Sequence, residues 1–230
     1  MARLLIHVEG LTEETFVNEV LRDHLVANGY DAVDPRILGN ARLRSKRGGI
    51  RPWRSVRRDI TNHLKEDPSC IASTMVDYYG LPREGGAAWP GRASVSGQGS
   101  VERARFVEAA MLEDVVAEMG NQPYPERFVP FIVMHEFEGL LFSDCAAFSK
   151  AIGRSDLEDD FMAIRDGFST PEEINDSPDK APSKRVEALL PGYQKPLLGT
   201  LAVLEIGLPR IRAECPHFNQ WLEKLESMVR

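Results

Sequence analysis

The stretch Arg3-Leu4-Leu5-Ile6-His7-Val8-Glu9-Gly10-Leu11-Thr12-Glu13-Glu14 decides how the rest of the chain is read. Leu4 to Val8 is a short apolar run closed by a Glu-Gly pair, which predicts a buried strand. A helix pattern opens at Thr12, a candidate N-cap. Thr15 stands three residues on, where a full capping box needs Glu or Gln. Glu13 and Glu14 suit the positive end of the helix dipole. Gly10 allows a tight turn and the close approach of a ligand. A carboxylate at the carboxyl end of a buried strand lies where open α/β sheets place their ligands. Glu9 and Glu13 can then face one point, from the strand end and from the first helical turn. Two carboxylates at one point repel each other unless a cation joins them, and hard oxygen donors suit magnesium or manganese. The competing reading is an ordinary solvated strand-to-helix loop.

The arrangement recurs. Cys70 to Val76 predicts a second buried strand, which ends in Asp77 and a Tyr-Tyr-Gly-Leu-Pro turn. Phe128 to Met134 predicts a third, followed by His135-Glu136-Phe137-Glu138-Gly139. Parallel strands joined by right-handed crossovers deliver their carboxyl ends to one edge. Glu9, Glu13 and Asp77 therefore form a candidate site with Glu136 and Glu138. If the chain stays extended past His135, Glu136 and Glu138 share a face. If a turn begins at Glu136, that pairing is lost. Asp77 also reads as a turn-initiating aspartate. His135 lacks the second histidine of a zinc-binding helix, because Gly139 stands four residues on.

Periodicity predicts a helix over 13–28 with Phe16, Val17, Val20, Leu21 and Leu25 as its apolar face. An edge strand follows within 31–38, bent by Pro35. A helix over 51–65 turns Trp53, Val56, Ile60 and Leu64 inward. Another over 101–119 is expected to bury Phe106, Ala109, Ala110, Leu112, Val116 and Met119. The Gly- and Ser-rich stretch 83–100 predicts a long mobile loop beside the site. Beyond Ser143 only helical patterns remain. The chain reads as an α/β core over 1–145, a small parallel sheet flanked by helices, with a helical C-terminal region over 146–230 packed on it.

Net charge is −7 over 230 residues, and it is unevenly spread. Arg36, Arg42, Arg44, Lys46, Arg47, Arg51, Arg54, Arg57 and Arg58 follow one another without an acidic residue between them, so the rest of the chain carries −16. Such a run is either a solvated face or a phosphate-binding surface. Lys184 and Arg185 follow Pro182, with Ser183 a candidate N-cap. Cations at a helix start oppose the dipole, which makes these two further candidates for phosphate. The three cysteines are scattered and form no CxxC, which argues against a disulfide framework. The N-terminal run does not fit a signal peptide, and no apolar run is long enough to span a bilayer. The expected location is cytoplasmic. No Walker-type glycine-rich loop is present, so this chain is not expected to hydrolyse ATP itself.

Val8-Glu-Gly-Leu-Thr-Glu-Glu14, Thr74-Met-Val-Asp-Tyr-Tyr-Gly-Leu-Pro82, His135-Glu-Phe-Glu-Gly-Leu-Leu-Phe-Ser-Asp144, Ile174-Asn-Asp-Ser-Pro178 and Pro182-Ser-Lys-Arg185 together resemble a Toprim-like family. Members occur in bacterial anti-phage defence loci, where PARIS systems pair a Toprim nuclease subunit with an ABC-type ATPase. The resemblance implies a small parallel sheet flanked by helices. Glu9 matches the glutamate that ends the first Toprim strand. Glu13 matches a second glutamate of the related overcoming-lysogenization-defect (OLD) nucleases, and Asp77 the first aspartate of an Asp-x-Asp. The second aspartate position holds Tyr79.

What the resemblance implies is a nuclease in which Glu9, Glu13 and Asp77 hold Mg²⁺ or Mn²⁺. Glu136 or Glu138 would replace the missing aspartate. Lys184, Arg185 or an arginine of the basic run would neutralise charge on the phosphate. The implied partners are nucleic acid, either DNA or tRNA, an ABC-type ATPase subunit and a second copy of the chain, with no membrane. The alternative is a non-catalytic nucleic-acid-binding or regulatory subunit of an ATPase-containing complex, for which Tyr79 is the sequence evidence.

Overall fold

A computed structural model describes residues 2–38, 49–95, 99–120, 125–175 and 180–229. Strand β1 (Ala2–Val8) is buried from Leu4 onward. It leads into α1 (Leu11–Phe16), which continues through one π-helical stretch (Val17–Leu21) into α2 (Arg22–Ala27). The helix begins at Leu11 with Gly10 as its N-cap, earlier than a Thr12 cap would allow. The reason is Glu13, whose Oε2 turns back to accept the Gly10 N–H at 2.9 Å. Strand β2 (Tyr30–Ile37) is the edge strand and carries Pro35. Then come α3 (Trp53–Glu66), β3 (Cys70–Asp77), α4 (Ser100–Met119), β4 (Phe128–Val129) and β5 (Ile132–Val133). The C-terminal part is built from α5 (Cys145–Ala151), α6 (Glu158–Arg165), α7 (Pro182–Leu189), α8 (Thr200–Ile206), α9 (Leu208–Glu214) and α10 (Pro216–Ser227).

The sheet order is β2-β1-β3-β4, with β5 also on β3, and every pairing is parallel. Strands β4 and β5 are two halves of the single strand expected over 128–134. Pro130 has no N–H to donate, and the ladder stops there. Side chains of β3 close the gap. Thr74 Oγ1 accepts from the Phe131 N–H and lies 2.9 Å from the Phe131 carbonyl, to which it donates. Ser73 Oγ donates to the Val129 carbonyl at 2.6 Å.

Alternation along the strands sorts the core into two layers. Leu4, Ile6, Val8, Ile71, Met75 and Phe131 pack with the helices of the first crossover and with Phe148, Phe218, Trp221 and Leu225 from the C-terminal part. Ala72, Val76 and Ile132 pack with Trp53, Val56, Ile60 and Leu64 of α3 and with Ala104, Val107 and Met111 of α4. The fold is α/β, a small parallel sheet flanked by helices. The C-terminal helices share one core with the sheet. Trp221 stacks on Phe131 at 4.4 Å and donates Nε1 to Ser73 Oγ at 2.9 Å.

Two expectations are corrected. Helix α4 buries Ala104, Val107, Met111, Val115 and Met119, leaving Phe106 43% exposed. Apolar residues stand on two sides of this helix, so periodicity alone does not choose the buried stripe. The sheet takes one side, and Phe106 covers Gly91 on the other. The stretch after Pro82 is not a free loop over its described part. Trp89 is buried 5.0 Å from Trp53 and donates to the Arg51 carbonyl, and Arg92 is buried against Tyr78. Among the described residues no helix is long and apolar enough to cross a membrane.

Candidate acidic site at the carboxyl edge of the sheet

Glu9 follows the last residue of β1, Glu13 lies in the first turn of α1, and Asp77 is the last residue of β3. A short 3₁₀ helix, Phe137–Ser143, opens directly after Glu136, so the turn reading holds beyond His135. Asp77 Oδ1 accepts the Phe137 N–H at 2.9 Å and ties the end of β3 to that turn. Glu138, 1% exposed, points inward and binds the Lys195 ammonium at 2.9 Å. Glu136 Oε2 accepts the Ser183 N–H at 2.9 Å. Glu136 therefore caps α7, which Pro182 opens, and Ser183 is not the cap.

These groups feel one another. Burial, then the charge of Glu13, pushes Glu9 up to about 7, against a hydrogen bond from the Asp77 backbone. Burial raises Glu13 as well. Asp77 is raised well above the carboxylate range by burial, then by Glu13, Glu9 and Glu138. Burial also raises Glu138, with Lys195 opposing. The Lys195 charge acts on Glu9, Glu13, Asp77 and Glu138 alike. Among the described residues, Glu138 is the one of these four that stands within ion-pair distance of it. Gly80 makes room for them: a Cβ there would stand 3.1 Å from Glu9 Oε2 and 3.0 Å from Ile50 Cγ1. Gly10, by contrast, has φ −151° and needs no glycine for its backbone.

Carboxylate oxygens are the donor type a hard divalent cation takes. Glu138 pairs with the Lys195 ammonium, and Glu9 Oε2 is buried without a hydrogen-bond partner among the described residues. The fit is of donors rather than of a closed ligand shell. Among the described residues, no three His, Cys, Asp or Glu side chains stand close enough to hold a metal ion as they are placed.

The basic candidates are dispersed. Arg42, Arg44, Lys46 and Arg47 lie outside the described residues. The residues that bracket them are tied to the site edge: the Leu38 N–H donates to the Val8 carbonyl and the Gly49 N–H to the Glu9 carbonyl, each at 2.9 Å. Arg51, Arg54 and Arg58 are exposed, while Arg57 is bound to Asp114 at 2.9 Å and Glu118 at 3.1 Å. Lys184 is not directed into the acidic cluster. It is exposed on α7 and pairs with Glu187, three residues on, at 2.8 Å. Arg185 donates to the Lys180 carbonyl and covers the Phe168 ring. The lysine that does enter the cluster, Lys195, was absent from the candidates. Its sequence signal was the one applied to Lys184, a cation beside a proline at a helix start. A separate cleft of about 360 Å³ between α5, α6 and α9 holds Arg165 and Arg210, both paired with Glu214.

Fold and site thus define an α/β protein with a partly buried acidic cluster at the carboxyl edge of a parallel sheet. The chain belongs to the family described as Domain of unknown function (DUF4276), which matches residues 8–226. No curated protein and no solved structure matches the chain.

Proposed function

We propose that this protein is a metal-dependent nuclease of Toprim type that cleaves phosphodiester bonds in anti-phage defence. The observation that carries the reading is the cluster of Glu9, Glu13, Asp77 and Glu138, partly neutralised by Lys195, with one Glu9 oxygen left unbonded. Glu9, Glu13 and Asp77 would hold the ion. Mg²⁺ or Mn²⁺ held there would supply an activated water and offset charge on a phosphoryl oxygen. Lys195 is held by Glu138 and neutralises charge growing on the phosphate. Arg51, Arg54 and Arg58, exposed on and just before α3, supply phosphate contacts. An ABC-type ATPase partner and a second copy of the chain belong to the same proposal, which rests there on the resemblance alone.

A second reading is a non-catalytic nucleic-acid-binding or regulatory subunit of an ATPase-containing complex. It is favoured by Tyr79 at the second Toprim aspartate position and by an ammonium already standing among the carboxylates. Mn²⁺ titration by calorimetry, with cleavage assays on tRNA and DNA, separates the two. The nuclease reading expects one site whose binding and cleavage are both lost in Glu9→Gln. Cleavage that survives Glu9→Gln would sink it. Nucleic-acid binding without metal binding or cleavage would establish the second reading.

A further inference from the structure

Beside the acidic cluster lies a group of opposite character. Arg92 is 3% exposed, yet no carboxylate pairs with it among the described residues. Its Nε donates to the Tyr78 carbonyl at 3.2 Å, and its guanidinium lies 3.7 Å over the Tyr78 ring. Arg103 approaches the same ring at 5.8 Å, with its Nε buried and without a partner among the described residues. Its Nη2 donates to Ser100 Oγ at 3.4 Å. His135 completes the set. Its Nε2 is 3.1 Å from Ser100 Oγ, and its Nδ1 is buried and unbonded in a side chain 1% exposed.

A buried guanidinium without a carboxylate partner, as Arg92 is among the described residues, is costly, and an anion that joins it offsets part of that cost. The charges near Arg92 show the deficit. Burial lowers its pKa, and Arg83 and Arg103 lower it further, with only Tyr78 and Tyr79 acting the other way. Burial, then Arg103 and Arg92, lowers His135 to about 4, so the imidazole is neutral and offers an N–H. Ser100 opens α4, a helix of 20 residues, at the positive end of its dipole. The Glu102 carboxylate folds back beside Gly99 at the same helix start. The group adjoins the acidic cluster, because the Tyr79 N–H donates to the His135 carbonyl at 3.3 Å.

We infer that Arg92, Arg103, Ser100 and His135 form an anion pocket that binds a phosphate group next to the carboxylates. The inference rests on the phosphodiester reading for the source of that phosphate, and not for the binding itself. Arg92 and Arg103 supply the charge and the paired N–H donors, and Ser100 and His135 fix the orientation.

The test is calorimetric titration of inorganic phosphate into the full chain with EDTA present, so that metal binding plays no part. The wild type is expected to bind one phosphate per chain. Arg103→Gln should weaken that binding about tenfold or more, the loss expected for one charge-assisted contact. Arg92→Lys keeps the charge and loses the fork, so it should also weaken binding. Unchanged far-UV dichroism shows that each variant has folded. A short oligonucleotide that displaces phosphate assigns the pocket to the nucleic-acid backbone. One that does not displace it leaves the pocket standing with free phosphate as its ligand, and removes support from the nuclease reading alone. Absence of phosphate binding in the wild type, or binding unaffected by both substitutions, overturns the pocket.

Discussion

Glu9 is held where its charge is opposed. Its pKa near 7, against an ordinary 4.5, means that the folded chain keeps a proton the unfolded chain has released. Its contribution therefore lowers stability as pH rises from about 4.5 to 7 when no cation is bound. Glu9→Gln should be more stable than the wild type at pH 8 in EDTA, by on the order of 2 kcal/mol. The difference should vanish at pH 4, and thermal unfolding of both proteins across that range checks it. His7 and His135 act in the opposite sense. Burial lowers them to about 3 and about 4, so the stability they contribute is complete above 6.5 and is lost as pH falls through those values. Taking the difference between wild type and Glu9→Gln removes them from the measurement. Lys195 gives a second prediction. Lys195→Met leaves Glu138 buried without its partner and should cost about 3 kcal/mol. Adding Glu138→Gln should restore most of the stability and none of the cleavage, as denaturant midpoints and nuclease assays would show.

Among the elements, β3 bears the most. It is paired on both sides, ends in Asp77, and repairs the break at Pro130 through Thr74 and Ser73. Thr74→Val keeps the shape and removes both contacts with the Phe131 backbone. Stability should fall by about 2–3 kcal/mol, the cost of unpaired buried polar groups. Urea unfolding should show a lower midpoint at an unchanged slope. The same element shows what could be read beforehand. Its apolar run and its terminal aspartate were legible locally. The mended gap was not, because it depends on which side chain of β3 faces Pro130 across the sheet. Helix α3 was legible on its buried face, since Trp53, Val56, Ile60 and Leu64 have no apolar rival. Helix α4 was misread because it has two.

For the whole molecule, the sheet joins the acidic cluster to both helical layers. Trp53 and Trp89 lie in one layer and Trp221 in the other, stacked on Phe131. One cooperative core predicts that tryptophan fluorescence and far-UV dichroism report a single coincident unfolding transition. Two separated transitions would mean that the C-terminal helices, which bring Lys195 to the site, melt apart from the sheet. The site would then be assembled only when both layers are folded. Its charges come from residues as far apart in sequence as Glu9 and Lys195, and the chain ends meet through contacts such as Tyr30 Oη donating to the Leu225 carbonyl at 2.8 Å.

The sequence by itself determined the α/β class, the parallel strands and the edge on which Glu9, Glu13 and Asp77 stand. These follow from local periodicity and from the fixed hand of strand–helix–strand connections, which need only neighbouring residues. Tertiary structure alone decided that Lys195 rather than Lys184 enters the acidic cluster, that Glu136 caps α7, and that Arg92 and Arg103 gather around Tyr78 with no carboxylate paired to either among the described residues. Each of those depends on how helices distant in sequence pack on the sheet. A charged residue's pattern in the chain does not reveal which opposite charge, or which buried ring, it will meet.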